Sequence, residues 1–370
     1  MTASQAALGC ELAALETPAP VVDLDALERN VARATDYATG HGLALLPHTK
    51  THKTAEIAER QLRAGAAGLT VAKSCEAERF AARGMGPLLL HYPVYGAAKW
   101  RRLAEVAGHV PLTVALDSLA AAEPLAVALR TRGVVADVLI ELDVGMRRTG
   151  LDVAGALALA QAIERLGGGL SVAGISCYPG HVRGSREDVR DGLRAVDATL
   201  SAARAALEGA GIRCERVSGG STATLFDSHE TSMTELRPGN YVFLDRSEGR
   251  GAWAPDDCAL RVHATVVSTS VPGRMVLDAG SKTLGDAPPP AGLQGYGAIV
   301  GAPGVTIVAL NEEHAVCELG PDAGAWHVGD RVEIVPNHVC TCVNLHDALY
   351  AARGGVVEAV YPLLTRGAVR

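Results

Sequence analysis

The sequence predicts a (β/α)8 barrel followed by a separate all-β domain, and three observations lead there. Between residue 20 and about residue 245, short apolar runs alternate with amphipathic segments rich in Ala, Arg and Glu. The runs are apolar almost without interruption, as strands covered on both faces by helices must be. After residue 250 the helical period vanishes, and alternating or β-branched runs take over, punctuated by Gly and Pro clusters such as 285–292. Eight strand–helix units in roughly 225 residues fit a closed barrel better than an open doubly wound sheet.

Taken in order, the barrel strands are expected at 43–46, 68–72, 87–91, 112–116, 135–142, 172–177, 215–218 and 241–244. The helices between them fall at 54–64, 75–82, 97–107, 119–132, 153–166 and 186–210, and one more at 24–38 precedes the first barrel strand. The β runs that follow lie at 260–269, 274–277, 305–309, 316–319 and 331–335. The domain boundaries expected from this pattern are 20–250 for the barrel, with 1–19 and 251–370 forming the β-domain.

Composition narrows the function classes. Aromatic residues make up only 4% of the 370 residues against 48% hydrophobic, so Ala, Val and Leu must build the core. The net charge of −7 is spread along the chain, which argues against a nucleic-acid or membrane partner. No apolar stretch approaches the roughly 20 residues needed to span a bilayer. The N-terminal stretch lacks a basic region and carries Glu11 and Glu16, unlike a secretory signal. Eight scattered cysteines read as reduced thiols, and the expected location is the cytoplasm.

Barrel enzymes carry their chemistry at the C-terminal ends of the strands. Those ends supply Pro47-His48-Thr49-Lys50-Thr51-His52-Lys53, Lys73-Ser74, Asp143-Val144-Gly145-Met146-Arg147-Arg148, Tyr178-Pro179-Gly180-His181 and Ser218-Gly219-Gly220-Ser221-Thr222. Only five of the 34 basic residues are lysines, and three of them (Lys50, Lys53, Lys73) fall at the mouths of the first two strands. A Schiff base needs an amine that can lose its proton, which arginine cannot supply. A glycine pair is common in turns, but after the seventh strand its backbone N–H groups and flanking hydroxyls suit a phosphate. A Schiff-base lysine and a phosphate cradle point together to pyridoxal 5′-phosphate (PLP).

The seven-residue run around Lys50 resembles the lysine motif of the D-threonine aldolase / D-serine dehydratase family, whose fold is alanine-racemase-like (fold-type III PLP enzymes). The resemblance covers essentially the whole chain. It implies that Lys50 carries PLP and that Arg148, in the Asp-x-Gly-x-x-Arg run, lies near the cofactor's 3-oxygen. It assigns the phosphate to Ser218, Gly219, Gly220, Ser221 and Thr222, and it places Tyr178 and Tyr241 at the cofactor. Arg237-Pro238-Gly239-Asn240-Tyr241-Val242-Phe243 and Leu277-Asp278-Ala279-Gly280-Ser281-Lys282 are similar to family segments as well. His181 stands at the barrel mouth as a candidate base, with a packed histidine as the alternative. Asp143 either orients Arg148 or ends a strand.

The last constellation is Asn337-His338-Val339-Cys340-Thr341-Cys342, followed by His346. Were the segment extended, His338, Cys340 and Cys342 would share a face, and imidazole beside thiolate suits zinc. Buried core thiols, or a closed four-ligand zinc site with His346, are the alternatives. In the resembled family a His-x-Cys or His-x-Asp pair holds a divalent cation, zinc or manganese, beside PLP. That carries over to His338 and Cys340, with Cys342 left out, and leaves positions for water and substrate.

The implied activity is a metal-assisted PLP lyase on small D-3-hydroxy amino acids. Retro-aldol cleavage to glycine and an aldehyde leads, and a D-serine dehydratase-type ammonia-lyase is the alternative that the His-x-Cys pair favours. An amino-acid racemase and a non-catalytic PLP-binding protein are further alternatives, and the resemblance implies a homodimer.

Overall fold

The computed structural model describes residues 7–248 and 254–370. The chain divides into two compact units, one of 32–50, 57–239 and 367–370, the other of 1–31, 51–56 and 240–366.

The chain order opens with strand β1 (Ala19–Asp23) and helix α1 (Leu24–Gly40). The barrel strands are then β2 (Ala44–Leu45), β3 (Leu69–Val71), β4 (Leu88–Leu90), β5 (Leu112–Leu116), β6 (Ala136–Leu142), β7 (Leu170–Cys177), β8 (Arg216–Gly219) and β9 (Glu235–Leu236). Between them run α2 (Ala55–Arg63), α3 (Ser74–Ala81), α4 (Ala97–Ala107), α5 (Leu119–Arg132), α6 (Val153–Arg165) and α7 (Arg186–Gly209). All neighbours pair in parallel, in the order β2-β9-β8-β7-β6-β5-β4-β3. The ends meet where His48 bridges Thr70, with Thr49 N–H donating to Thr70 O and Thr70 N–H to Pro47 O, both at 2.8 Å. That closes the barrel.

The apolar runs are buried as their composition demands: every residue of β4 and β5 is buried. Leu46, Leu89, Leu139 and Ala173 form one packed layer inside, built from aliphatic side chains alone. Helix α7 starts at a reciprocal cap, Ser185 Oγ accepting from Asp188 N–H at 3.2 Å and Asp188 Oδ2 from Ser185 N–H at 2.9 Å. Such a cap contributes about 1 kcal/mol.

Between β6 and β7 the register slips by one residue: Val138 faces Val172 but Leu139 faces Gly174. Gly174 has φ +155°, and a Cβ there would lie 1.9 Å from Arg216 O. The neighbour is strand backbone and cannot move aside. Gly174→Ala is therefore expected to destabilise the protein by roughly 3 kcal/mol or more, read as a lower urea midpoint. An unchanged midpoint would mean that β8 yields at no cost.

One strand falls elsewhere than expected. The eighth barrel strand is β9, only two residues long, and the apolar run at 241–244 is no strand. It begins as a 3-10 turn (Asn240–Val242), and Leu244 adopts φ +55°. Tyr241, Val242, Phe243 and Leu244 are all buried, and burial leaves the same apolar signature in either conformation.

The second unit is an antiparallel-dominated sheet. Its strands are β1 and then β10 (Leu260–Ser268), β11 (Arg274–Leu277), β12 (Gly297–Ile299), β13 (Val305–Leu310), β14 (Ala315–Leu319), β15 (Arg331–Pro336), β16 (Ala348–Arg353) and β17 (Val356–Pro362). The order is β13-β14-β11-β10-β1-β16-β17, with β15 joined to β10 and β12 to β15. Short helices α8 (Ser281–Leu284) and α9 (Val339–Val343) complete it. The boundaries differ from those expected at 20 and 250. Residues 19–23 pair with β10 and β16, and Thr51–Glu56 and the chain from Asn240 also group with this sheet. No helix among the described residues is long and apolar enough to cross a membrane.

Candidate cofactor and metal site

In the barrel unit, β2 hands the chain to Lys50 through a backbone pinned on both sides. His48 N–H donates to Pro238 O at 2.9 Å and Thr49 N–H to Thr70 O at 2.8 Å. His48 and Thr49 are buried and Lys50 is exposed, so the amine stands out from a fixed stem. Lys50 is thus more exposed than the partly buried position that eases loss of an amine's proton. Lys50 Nζ lies 6.0 Å from the centre of the Tyr178 ring, and the Arg148 guanidinium 4.9 Å from the same ring. Three of the expected cofactor residues thus gather around one aromatic face, and a cation over such a face is attracted by its quadrupole.

Asp143 does not reach for Arg148. Its Oδ1 accepts from Gly145 N–H at 3.0 Å and Arg147 N–H at 2.9 Å, which shapes the loop and holds the carboxyl below its usual range. His181 is exposed and packs over Gly145, where a Cβ would lie 3.0 Å from its Nε2.

The glycine turn after β8 has the form a cradle needs. Gly220 is left-handed at φ +81°, and a Cβ on Gly219 would lie 2.8 Å from Met233 and 3.1 Å from Cys177 Sγ. Ser218, Ser221 and Thr222 are buried. Ser221 N–H is taken by Thr224 Oγ1 at 2.9 Å, so this one amide is committed to the turn itself. Beneath the turn, Arg237 donates to Ser218 Oγ at 2.8 Å and to Cys177 O at 2.5 Å.

A polar network missed at the sequence level continues from Arg237. Its Nη2 lies 3.0 Å from His91 Nε2, which lies 2.8 Å from Glu141 Oε2, and Ser176 Oγ donates to the same oxygen at 2.5 Å. Burial pushes Glu141 up, but His91, Arg237 and Ser176 outweigh it and leave the carboxyl below its usual range. Burial and the Arg237 charge push His91 down, so its imidazole is neutral. With its proton on Nε2, the neutral imidazole donates to Glu141. His91 and Glu141 sit at the ends of apolar runs with no motif around them, and no local signal marks either.

In the β-rich unit, Thr51, the residue bonded to Lys50, is buried and accepts from the Cys340 thiol at 3.3 Å. His338 Nδ1 lies 3.0 Å from Asp245 Oδ2. Asp245 is fully buried and also accepts from Val339 N–H at 2.9 Å, Asn240 Nδ2 at 2.9 Å and Ser247 Oγ at 2.5 Å. Burial pushes its carboxyl up, and these donors bring it below the usual range. Asp245 and then Cys340 push His338 up to about 10. With Nδ1–H committed to Asp245, Nε2 is the nitrogen that can take a metal, in the carboxylate–histidine–metal arrangement. Asp245 was not singled out from the sequence, where it simply follows an apolar run. Tyr241 is wholly buried in this unit.

The shared face expected for His338, Cys340 and Cys342 does not form. His338 is extended, but 339–343 is helical, so the strand alternation stops after the first residue. Cys342 is buried, its thiol pushed up to about 12, and donates to Thr283 O at 3.2 Å, the oxygen that His346 Nε2 meets at 3.0 Å. Among the described residues no three His, Cys, Asp or Glu side chains converge as a ready metal cage. One imidazole and one thiol suit a cation that keeps open positions, and the glycine turn suits a phosphate.

A barrel with a lysine on its first strand, a glycine cradle on its seventh and an added β-rich unit defines a class of enzyme. The family model for the alanine racemase N-terminal domain matches residues 22–247, and that for a putative serine dehydratase domain matches 259–352. The chain belongs to this alanine-racemase-like family of PLP enzymes. It is 37% identical to the D-threonine aldolase of Arthrobacter sp, over 97% of this chain and 95% of that one. It is 33% identical to the D-threo-3-hydroxyaspartate dehydratase of Delftia sp. (strain HT23), over 89% of this chain and 92% of that one. The crystal structure of D-threonine aldolase from Filomicrobium marinum superposes with a TM-score of 0.91 at 33% identity, covering 98% of each chain. Two mutant structures of D-threo-3-hydroxyaspartate dehydratase, a histidine-to-alanine form and a cysteine-to-alanine form free of metal, superpose with TM-scores of 0.87 and 0.86 at 30% identity, covering 96% and 95% of this chain and 96% and 98% of those chains.

Proposed function

We propose that the chain is a PLP- and divalent-metal-dependent lyase that cleaves D-3-hydroxy amino acids to glycine and an aldehyde. The observation that carries this reading is the contact of the Cys340 thiol with Thr51 at 3.3 Å, because Thr51 is the covalent neighbour of Lys50. The proposed metal donor Cys340 thus contacts the residue that follows the proposed cofactor lysine in the chain. The similarity to D-threonine aldolases along the whole chain supports it.

Lys50 would hold PLP, Ser218–Thr222 its phosphate and Arg148 the neighbourhood of its 3-oxygen, with Tyr178 and Tyr241 as further cofactor residues. His338 Nε2 and Cys340 Sγ would hold zinc or manganese. When bound, PLP supplies an electron sink and the metal lowers the pKa of a hydroxyl. Asp245 keeps the His338 imidazole in the tautomer and orientation that ligation requires. His181, at the barrel mouth, accepts the proton of the substrate's β-hydroxyl as the Cα–Cβ bond opens. A homodimer in the cytoplasm completes the reading, on the family resemblance.

Dehydration is the second reading. The histidine and cysteine mutated in the two D-threo-3-hydroxyaspartate dehydratase structures are numbered two positions apart, and His338 and Cys340 repeat both residue types and that spacing. There Lys50 would remove the Cα proton instead. The deciding experiment is a product assay with D-threonine, D-serine and D-threo-3-hydroxyaspartate, with zinc or manganese and with a chelator. Glycine plus an aldehyde, lost on chelation, is the expected result. Ammonia plus a keto acid would install the dehydratase in its place, and turnover of none of the three would remove the lyase reading.

A further inference from the structure

The buried charges of the barrel network have a partner that the proposed chemistry uses. Glu141 on β6 and Arg237 after β9 are both nine-tenths or more buried, and His91 lies between them. Lys50 and His91 follow strands that both border β3, with Thr49 N–H donating to Thr70 O at 2.8 Å and His91 N–H to Val71 O at 3.0 Å, and the Lys50 charge is among the influences that push His91 down. Three further groups face the network. Cys177 on β7 carries a thiol pushed up to about 12 and is neutral. Arg216 and Glu235 neutralise each other through a 2.5 Å ion pair. Glu141 is thus the anion that offsets Arg237, and its Oε2 is the atom that orients His91.

Buried charges are costly to desolvate, and hydrophobic side chains of similar volume would fill the barrel as well. Their retention at the lysine end of the barrel therefore asks for a reason beyond packing. We propose that Glu141 is a positioning residue: by orienting His91 and offsetting Arg237, it sets the ease with which the lysine-bound cofactor takes and releases its proton. The sign follows from charge alone. Glu141 favours a proton on nearby cationic groups, and its removal leaves Arg237 unopposed and disfavours that proton. The inference rests on Lys50 as the cofactor lysine.

The test is a pH titration of the visible absorbance of the PLP-loaded protein. In Glu141→Gln the band of the protonated cofactor–lysine linkage is lost at lower pH than in the wild type, with the midpoint down by about one unit. Glu141→Asp keeps the charge but withdraws it by one methylene, and shifts the midpoint in the same direction by less. A purely structural Glu141 would lower thermal stability and leave the midpoint in place. A folded Glu141→Gln protein with an unmoved or raised midpoint overturns the proposal. If that variant does not fold, an unmoved midpoint in Glu141→Asp overturns it. Failure of the underlying reading looks different, since Lys50→Ala would then retain the band.

Discussion

Lys50→Ala is expected to abolish the absorbance band of the lysine-linked cofactor and to lower turnover on the order of a thousandfold or more. The amine is exposed on a stem whose neighbours are buried and hydrogen-bonded, so truncation beyond Cβ removes chemistry without opening a cavity. Thermal stability without cofactor should therefore match the wild type to within about 0.5 kcal/mol. The cradle at Ser218–Thr222 and Arg148 remain, so PLP should still bind, without the covalent band. Lys53 and Lys73 are the controls. Lys53 is buried, and the Lys73 amine lies 3.5 Å over the Tyr92 ring. A band retained in Lys50→Ala and lost in Lys73→Ala would move the cofactor to the second strand.

His338→Ala is expected to leave the absorbance of bound PLP intact and to cut turnover on the order of a hundredfold or more. Metal supplied at high concentration should restore little, because half of the two-residue donor set is gone. Asp245→Asn probes the same centre from behind. It leaves the ligand in place but exchanges a carboxylate for an amide at Nδ1, and should weaken metal binding about 10- to 100-fold. Metal content measured beside activity separates the two effects. If His338→Ala retained full activity in chelator-treated buffer, the metal would have no part in the reaction.

Much of the fold was legible because its signals are local. Uninterrupted apolar runs such as Leu88–Leu90, and helices with clean ends such as Ala97–Ala107, declare themselves through period and punctuation. The eighth barrel strand did not, since two residues carry no period and a more apolar run follows directly. Strands β1, β12 and β16 escaped for a related reason: they are short or rich in alanine and glycine. At the site, Lys50 and the His338/Cys340 pair stood out as motifs. Glu141, His91 and Asp245 did not, because their meaning lies in partners 50 to 146 positions away, as with His91 and Glu141 or Arg237. The helical turn at 339–343 was hidden by valine and threonine, β-branched residues that favour strand over helix.

The extra residue in β7 has a consequence for which side chains meet inside the barrel. Side chains on a strand alternate between its two faces, so a single added residue exchanges inside for outside beyond it. Ala173 points into the interior layer with Leu139, and three residues later Ser176 stands in register with Glu141 and binds it. An unbroken strand would bring Ile175 inward instead, and Ser176 would face the helices. The glycine that lets β7 approach β8 so closely is thus the hinge of a parity change, and that change delivers a hydroxyl to the one carboxylate the barrel has to satisfy there.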